Sequence, residues 1–320
     1  MIGNIQVLRA FAAINVVFFH IIGTSATYSL PVSFFQFLEG WGANGVDIFF
    51  VISGFVMLHT QLLKRKTPFA FFKSRLIRIV PIYWALTLFF AALFYLFPSL
   101  FREMVVTPLW LISSLFFSAA LVAGAFPIVH VGWTLEWEML FYLVFAVALF
   151  LPSWRAFGGA VVALLTLIAV CTQGWLVFEF LLGMAVACIY HHYRFSGRFG
   201  AVVFLVGALA LVLSLLVAVR ALALDRFFIW GLPSFLIVLG VLYAPQLRNR
   251  LLAYLGDASY SIYLVQMLAI PAFYKVARMV LAGWNTDVLA LACLVVSVVA
   301  GCVMYSLIEK PLTVRLRRFV

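Results

Sequence analysis

This 320-residue chain is short of charge: Asp, Glu, Lys and Arg together make up 10% of it, and only ten residues are acidic. A soluble globular domain carries roughly a quarter charged residues, so the soluble classes are excluded. Cysteine is scarce as well. Cys171, Cys188, Cys293 and Cys302 all fall inside apolar runs without a paired short spacing, which excludes a disulfide framework and a zinc knuckle and leaves them as small core residues. No metal site is expected. Long polar stretches are missing too, so the connections leave no room for a soluble catalytic appendage, and residues 1–320 read as one membrane domain without internal repeats.

What is present is apolar. Hydrophobic residues reach 67% and the mean hydropathy is +1.19, which describes an all-α, polytopic helical membrane bundle. Candidate segments lie near residues 5–23, 44–63, 79–97, 108–123, 132–151, 157–172, 174–190, 199–219, 227–243, 252–274 and 287–308. The weakest is 108–123: it is short, rich in serine and ends at Gly124 before Pro127. Taken as an interfacial or re-entrant helix, it leaves about ten spans. These place the basic stretch Lys64 to Arg78, Arg155, Arg194 with Arg198, Arg248 with Arg250 and the basic C-terminus on the cytoplasmic side, as the positive-inside rule demands. Arg102, Arg220 and Arg226 remain outside, and both termini are cytoplasmic. The net charge of +11 is thereby explained by topology, and a nucleic-acid partner is not expected.

The first apolar stretch, Ile5 to Gly23, carries two groups that a lipid-facing helix excludes, Arg9 and His20. Their spacing returns them to nearly the same helical face, about 16 Å apart along the axis. An Arg at a helix centre costs about 2.5–3.5 kcal/mol on insertion scales, so such a pair belongs where it faces a bundle interior or a water-filled cavity. The bland alternative is an Arg9 that snorkels to the interface beside an end-capping His20. Gly23-Thr24-Ser25-Ala26 faintly resembles a signal-peptide end, but the run is long enough to span and is expected to remain uncleaved.

Further motifs follow in order. Gly45-Val46-Asp47-Ile48-Phe49-Phe50 leads into Ser53-Gly54-Phe55, where the small pair lets a helix or a ligand approach closely. Arg75 and Arg78, three apart before Pro81, read either as topology anchors or as a phosphate clamp, since guanidinium forks suit phosphate oxygens. Trp133-Thr134-Leu135-Glu136-Trp137-Glu138 puts two carboxylates at the outer start of a span, pointing in different directions. Tyr260-Ser261-Ile262-Tyr263-Leu264-Val265-Gln266 opens the ninth span, and Glu309-Lys310-Pro311 closes the tenth. His59 reads as packing or pathway, His130 as a weaker substrate contact, and His191 with His192 as interface residues.

In this order, the motifs resemble the acyltransferase 3 family of integral membrane O-acyltransferases, which modify O-antigens, exopolysaccharides and Nod factors. The resemblance implies that His20 is the essential histidine and Arg9 its partner on the same helix. It makes Arg75 and Arg78 the cytoplasmic arginines and Glu138 the motif acid, with Glu136 on a variable position. Asp47, Ser53, Trp133, Tyr260 and Gln266 are assigned as substrate-contacting positions. Gln266 stands where the family has His, and an amide can hydrogen-bond but cannot take up a proton at neutral pH.

The implied activity is transfer of an acyl group, acetyl in most members, from cytosolic acyl-CoA to a hydroxyl of a saccharide or lipid-linked saccharide at the cell inner membrane. Acetyl-CoA or another acyl-CoA is the donor substrate, no permanently bound cofactor is expected, and the surrounding partners are membrane lipids. Arg75, Arg78 and Arg9 would hold the CoA phosphates. His20 would act as general base or accept the acyl group itself, with Glu138 fixing its tautomer. The rival reading is a transporter or flippase for a lipid-linked sugar or amphiphile, since intramembrane Arg, His and Glu also describe a proton-coupled carrier.

Overall fold

The computed structural model describes residues 2–101, 105–216, 225–281 and 283–319; Arg102, Arg220 and the end of the 199–219 segment lie outside them. Among the described residues the regular structure is helical throughout. In chain order the α-helices are α1 (Gly3–Thr27), α2 (Asn44–Leu63), α3 (Pro68–Leu96), α4 (Pro108–Leu115), α5 (Trp133–Ala148), α6 (Trp154–Thr172), α7 (Val177–His192), α8 (Gly197–Leu213), α9 (Leu232–Tyr243), α10 (Arg250–Asp257), α11 (Ser259–Val280), α12 (Thr286–Met304) and α13 (Lys310–Leu316).

Six of these helical stretches are long and apolar enough to cross a bilayer: Gly3–Thr27, Trp41–Leu63, Pro68–Leu96, His130–Ala148, Trp154–Thr172 and Thr286–Leu316. Val177–His192, Gly197–Leu213 and Phe227–Tyr243 are apolar but shorter. Their outward faces suit lipid. In α8 only Gly200, Gly207 and Leu211 are buried, while Val202, Leu205, Val206 and Leu209 point outward. The cysteines follow the same logic and correct the expectation of core residues: Cys293 is buried, but Cys171 and Cys188 are exposed. A thiol behaves as a small hydrophobe and needs no core where the outer medium is apolar.

Three boundaries differ from the sequence expectation. Helix α3 begins eleven residues before the predicted segment at 79, because Thr67 accepts the Ala70 N–H, Pro68 takes the first helical position and neither Pro nor Gly occurs between it and residue 79. Arg75 and Arg78 therefore lie inside the helix rather than ahead of it. The 252–274 segment is two helices, α10 and α11, divided at Ala258. The 108–123 segment is the eight-residue α4 and a separate turn, Ala119–Ala123. Eight residues rise only about 12 Å, too little to span.

The chain divides into two compact units, residues 1–65 with 162–302 and residues 66–161 with 303–320. In the first, α1 touches α2, α9, α10 and α11 and is tied to each by polar groups of its own. The Asn4 side chain donates to Val241 O at 2.8 Å and Pro245 O at 3.1 Å, supplying donors to the carbonyls left open where α9 ends. Gln6 Nε2 donates to Asp257 Oδ1 at 2.7 Å, and Asn15 Nδ2 to Asn44 Oδ1 at 2.8 Å. Between α2 and α7 the backbones meet: a Cβ on Gly183 would stand 2.1 Å from Val51 O, and one on Gly54 2.1 Å from Phe180 O. The small residue beside Ser53 thus admits a helix.

In the second unit α3 packs on α4 and α5. Phe71 stacks on Phe145 with centroids 4.8 Å apart, and the fully buried Tyr83 stacks on Phe117 at 4.6 Å. Trp84 Nε1 donates to Leu115 O at 2.8 Å, closing the end of α4.

Candidate active site

In the first unit, Arg9 is half-buried on α1. It donates through Nη2 to Ser259 Oγ at 3.0 Å and through Nη1 to Gln6 Oε1 at 3.3 Å. With the Gln6–Asp257 bond this forms a chain Asp257–Gln6–Arg9–Ser259 that joins α1 to the break between α10 and α11. A guanidinium held this way is oriented in advance. His20 is half-buried further along the same helix, its ring 4.8 Å from that of Phe19.

Asp47 has no exposed surface and is gripped by Arg226, with Nε–Oδ1 at 2.9 Å and Nη2–Oδ2 at 2.7 Å. Arg226 also donates to Ala43 O at 2.8 Å and lies over the Trp230 ring at 5.0 Å. Ser53 is buried beside the α2–α7 contact, and Tyr260 is half-buried. Gln266 is wholly buried. Its amide nitrogen donates to Tyr263 O at 2.8 Å, and its carbonyl oxygen takes no hydrogen bond among the described residues. His59 Nδ1 and His191 Nε2 lie 3.0 Å apart, a direct pairing of two residues read separately from the sequence.

In the second unit, Arg75 on α3 lies in the electrostatic reach of Tyr142, Arg78, Glu138 and Arg317 and over the Phe71 ring at 5.8 Å. Tyr142 donates a short hydrogen bond to Glu138 one turn away on α5. Expected at opposite ends of the bundle, the acid and the arginine instead share one neighbourhood. Depth along the helices explains it: Arg75 is seven residues inside α3 and Glu138 five inside α5, so both sit well in from their helix ends. Glu136 is occupied otherwise, accepting the Ala119 and Ala120 N–H groups at 2.8 and 3.2 Å. Trp133 is half-buried at the start of α5, after Gly132, whose Cβ position would be 2.9 Å from the Tyr83 hydroxyl. His130 is exposed, its ring 4.4 Å from that of Phe126.

Residues 2–307 match a family model described as an acyltransferase domain. The chain belongs to the acyltransferase 3 family. It is also 34% identical over 296 residues, 85% of this chain and 89% of the relative, to ExoZ, an exopolysaccharide production protein of Rhizobium meliloti (strain 1021). No solved structure matches it.

For this acyltransferase 3 member, a membrane protein by family and by its apolar helices, the site residues fall into two sets, one in each compact unit. Sequence reasoning missed three residues that the structure places beside these positions. Tyr142, one helical turn after Glu138, was given no role. Arg226 was counted only as an outer charge, although it holds Asp47. Glu179 was passed over inside an apolar run, although an intramembrane carboxylate is a functional signal by default.

Proposed function

We propose that this acyltransferase moves an acyl group, acetyl in the simplest case, from acyl-CoA to a hydroxyl of an exported saccharide. The observation that carries the reading is the family match over nearly the whole chain; the likeness to ExoZ favours an exopolysaccharide acceptor. The same match weighs against a simple carrier. In this reading ten helices span the inner membrane: the six long stretches, the three shorter apolar ones and α11, with both termini cytoplasmic. A C-terminal reporter active only in the cytoplasm is the expected readout of that topology.

In the proposed chemistry the imidazole of His20 takes the proton of the acceptor hydroxyl as its oxygen attacks the thioester carbonyl. The carbon–sulfur bond breaks, the ester forms, and the proton passes to the departing thiolate to give free CoA. Arg75 and Arg78 hold the CoA phosphates, and Arg9, oriented by Ser259 and Gln6, assists. Glu138, the motif acid, is proposed to orient the Arg75 guanidinium, which lies in its electrostatic reach. Asp47, Ser53, Trp133, Tyr260 and Gln266 are proposed to shape the acceptor side, Asp47 indirectly through Arg226.

The test is acyl transfer from labelled acetyl-CoA to exopolysaccharide fragments by purified protein, with mass spectrometry of the polysaccharide from cells with and without the gene. Loss of O-acyl groups in its absence and in cells carrying His20→Ala supports the reading. Full transfer by purified His20→Ala protein would refute it.

A further inference from the structure

We propose that Asp47 and Glu179 form a proton-binding site inside the first unit, holding one proton between two carboxyl groups and balanced by Arg226. This does not depend on the acyl-transfer reading.

Glu179, in the first turn of α7, has no exposed surface. Neither of its oxygens meets a hydrogen-bond donor among the described residues. The polar group it does meet is the carboxyl of Asp47 on α2. Ionised carboxylates are acceptors only, so two facing each other cannot bond unless a proton lies between them. Among the described residues the surroundings supply no alternative donor. Arg226 spends Nε and Nη2 on Asp47 and Ala43 O. Asp225, also in electrostatic reach of Glu179, adds negative charge and accepts the Phe227 N–H at 2.8 Å. Tyr263, on α11, is in electrostatic reach of Arg226. Glu179 also lies against Gly231: a Cβ there would stand 3.0 Å from Glu179 Oε1.

The charge balance leads to the same place. One guanidinium offsets one carboxylate; a second ionised carboxylate buried in an apolar surround would be uncompensated, which proteins avoid by pairing or by protonation. With one proton the Asp47–Glu179–Arg226 group is neutral. Two carboxylates sharing a site behave as one coupled titrating unit, so the proton belongs to the pair.

Infrared spectroscopy of the purified full-length protein at neutral pH reads this directly, since a protonated carboxyl has a C=O band, shifted in deuterium oxide, that a carboxylate lacks. Wild type is expected to show the band and Glu179→Gln to lose it while unfolding at nearly the wild-type temperature. Asp47→Asn is the more discriminating variant and serves also if Glu179→Gln does not purify. Once the competing carboxylate is gone, Glu179 ionises against Arg226, so the band disappears although Glu179 is intact. A band unchanged in both variants, or none in wild type, overturns the proposal. So does a rise in wild-type unfolding temperature with sodium concentration that Glu179→Gln abolishes, which would identify a metal cation as the occupant.

Discussion

Arg226 meets Asp47 as a two-pronged pair, Nε to Oδ1 at 2.9 Å and Nη2 to Oδ2 at 2.7 Å, across 179 residues of chain. Since Asp47 is wholly buried, its partner cannot be replaced by water. Arg226→Ala is expected to cost about 3–5 kcal/mol, the range for removing one member of a buried pair. Removing both charges in Asp47→Asn/Arg226→Gln should recover part of that loss. Thermal unfolding in detergent measures it, and additive losses would sink the coupling.

The contact between α2 and α7 is expected to tolerate no side chain at Gly183. Its Cβ would meet Val51 O at 2.1 Å and Phe55 N at 2.7 Å, and both are backbone atoms that cannot swing away. Gly183→Val should destabilise by about 1–3 kcal/mol or more, whereas the same change at Gly158, which has open space around it, should leave the unfolding temperature almost unchanged. Equal behaviour of the two variants would argue against the close approach.

If Glu138 orients Arg75, then Tyr142→Phe, which removes the hydrogen bond to Glu138, should weaken donor binding before it slows chemistry. A hydrogen bond to a charged group contributes about 1.5–3 kcal/mol, so KM for acyl-CoA is expected to rise by roughly tenfold to a hundredfold with kcat little changed. Glu138→Gln should raise KM in the same way and, as the motif acid, also lower kcat. A Tyr142→Phe enzyme that loses kcat alone would assign this residue to the chemical step.

Asn4→Ala should loosen the join between α1 and the end of α9. The side chain serves Val241 O, Pro245 O and the Leu247 N–H together, so about 1–3 kcal/mol is expected from the groups left unsatisfied. Hydrogen exchange at Leu247 is the local readout. Unaltered exchange there would mean that packing, not the amide, holds the join.

Much of the fold was legible because its signals are local. Apolar runs of spanning length, and the serines with a glycine around 108–123, act within a few residues and survive any arrangement of neighbours. The start of α3 was placed too late because the basic residues before 79 interrupt the apolar run, yet Lys73, Arg75 and Arg78 are good helix formers. Glu136 and Glu138 could be told apart in direction by helical spacing, but not in occupation: one binds the Ala119–Ala123 turn, the other Tyr142.

By itself, the order of residues determined that this is a helical membrane protein, that α1 carries an arginine and a histidine on one face, and that its motifs are those of an acyltransferase. These depend on hydropathy, periodicity and residue identity, all set along the chain. Only tertiary structure decided that Asp47 meets Arg226 and Glu179, that His59 meets His191 across 132 residues, and that Arg75 shares its surroundings with Glu138. Buried charges and rings take whichever partner packing brings within a few ångströms, and no local pattern encodes that distance.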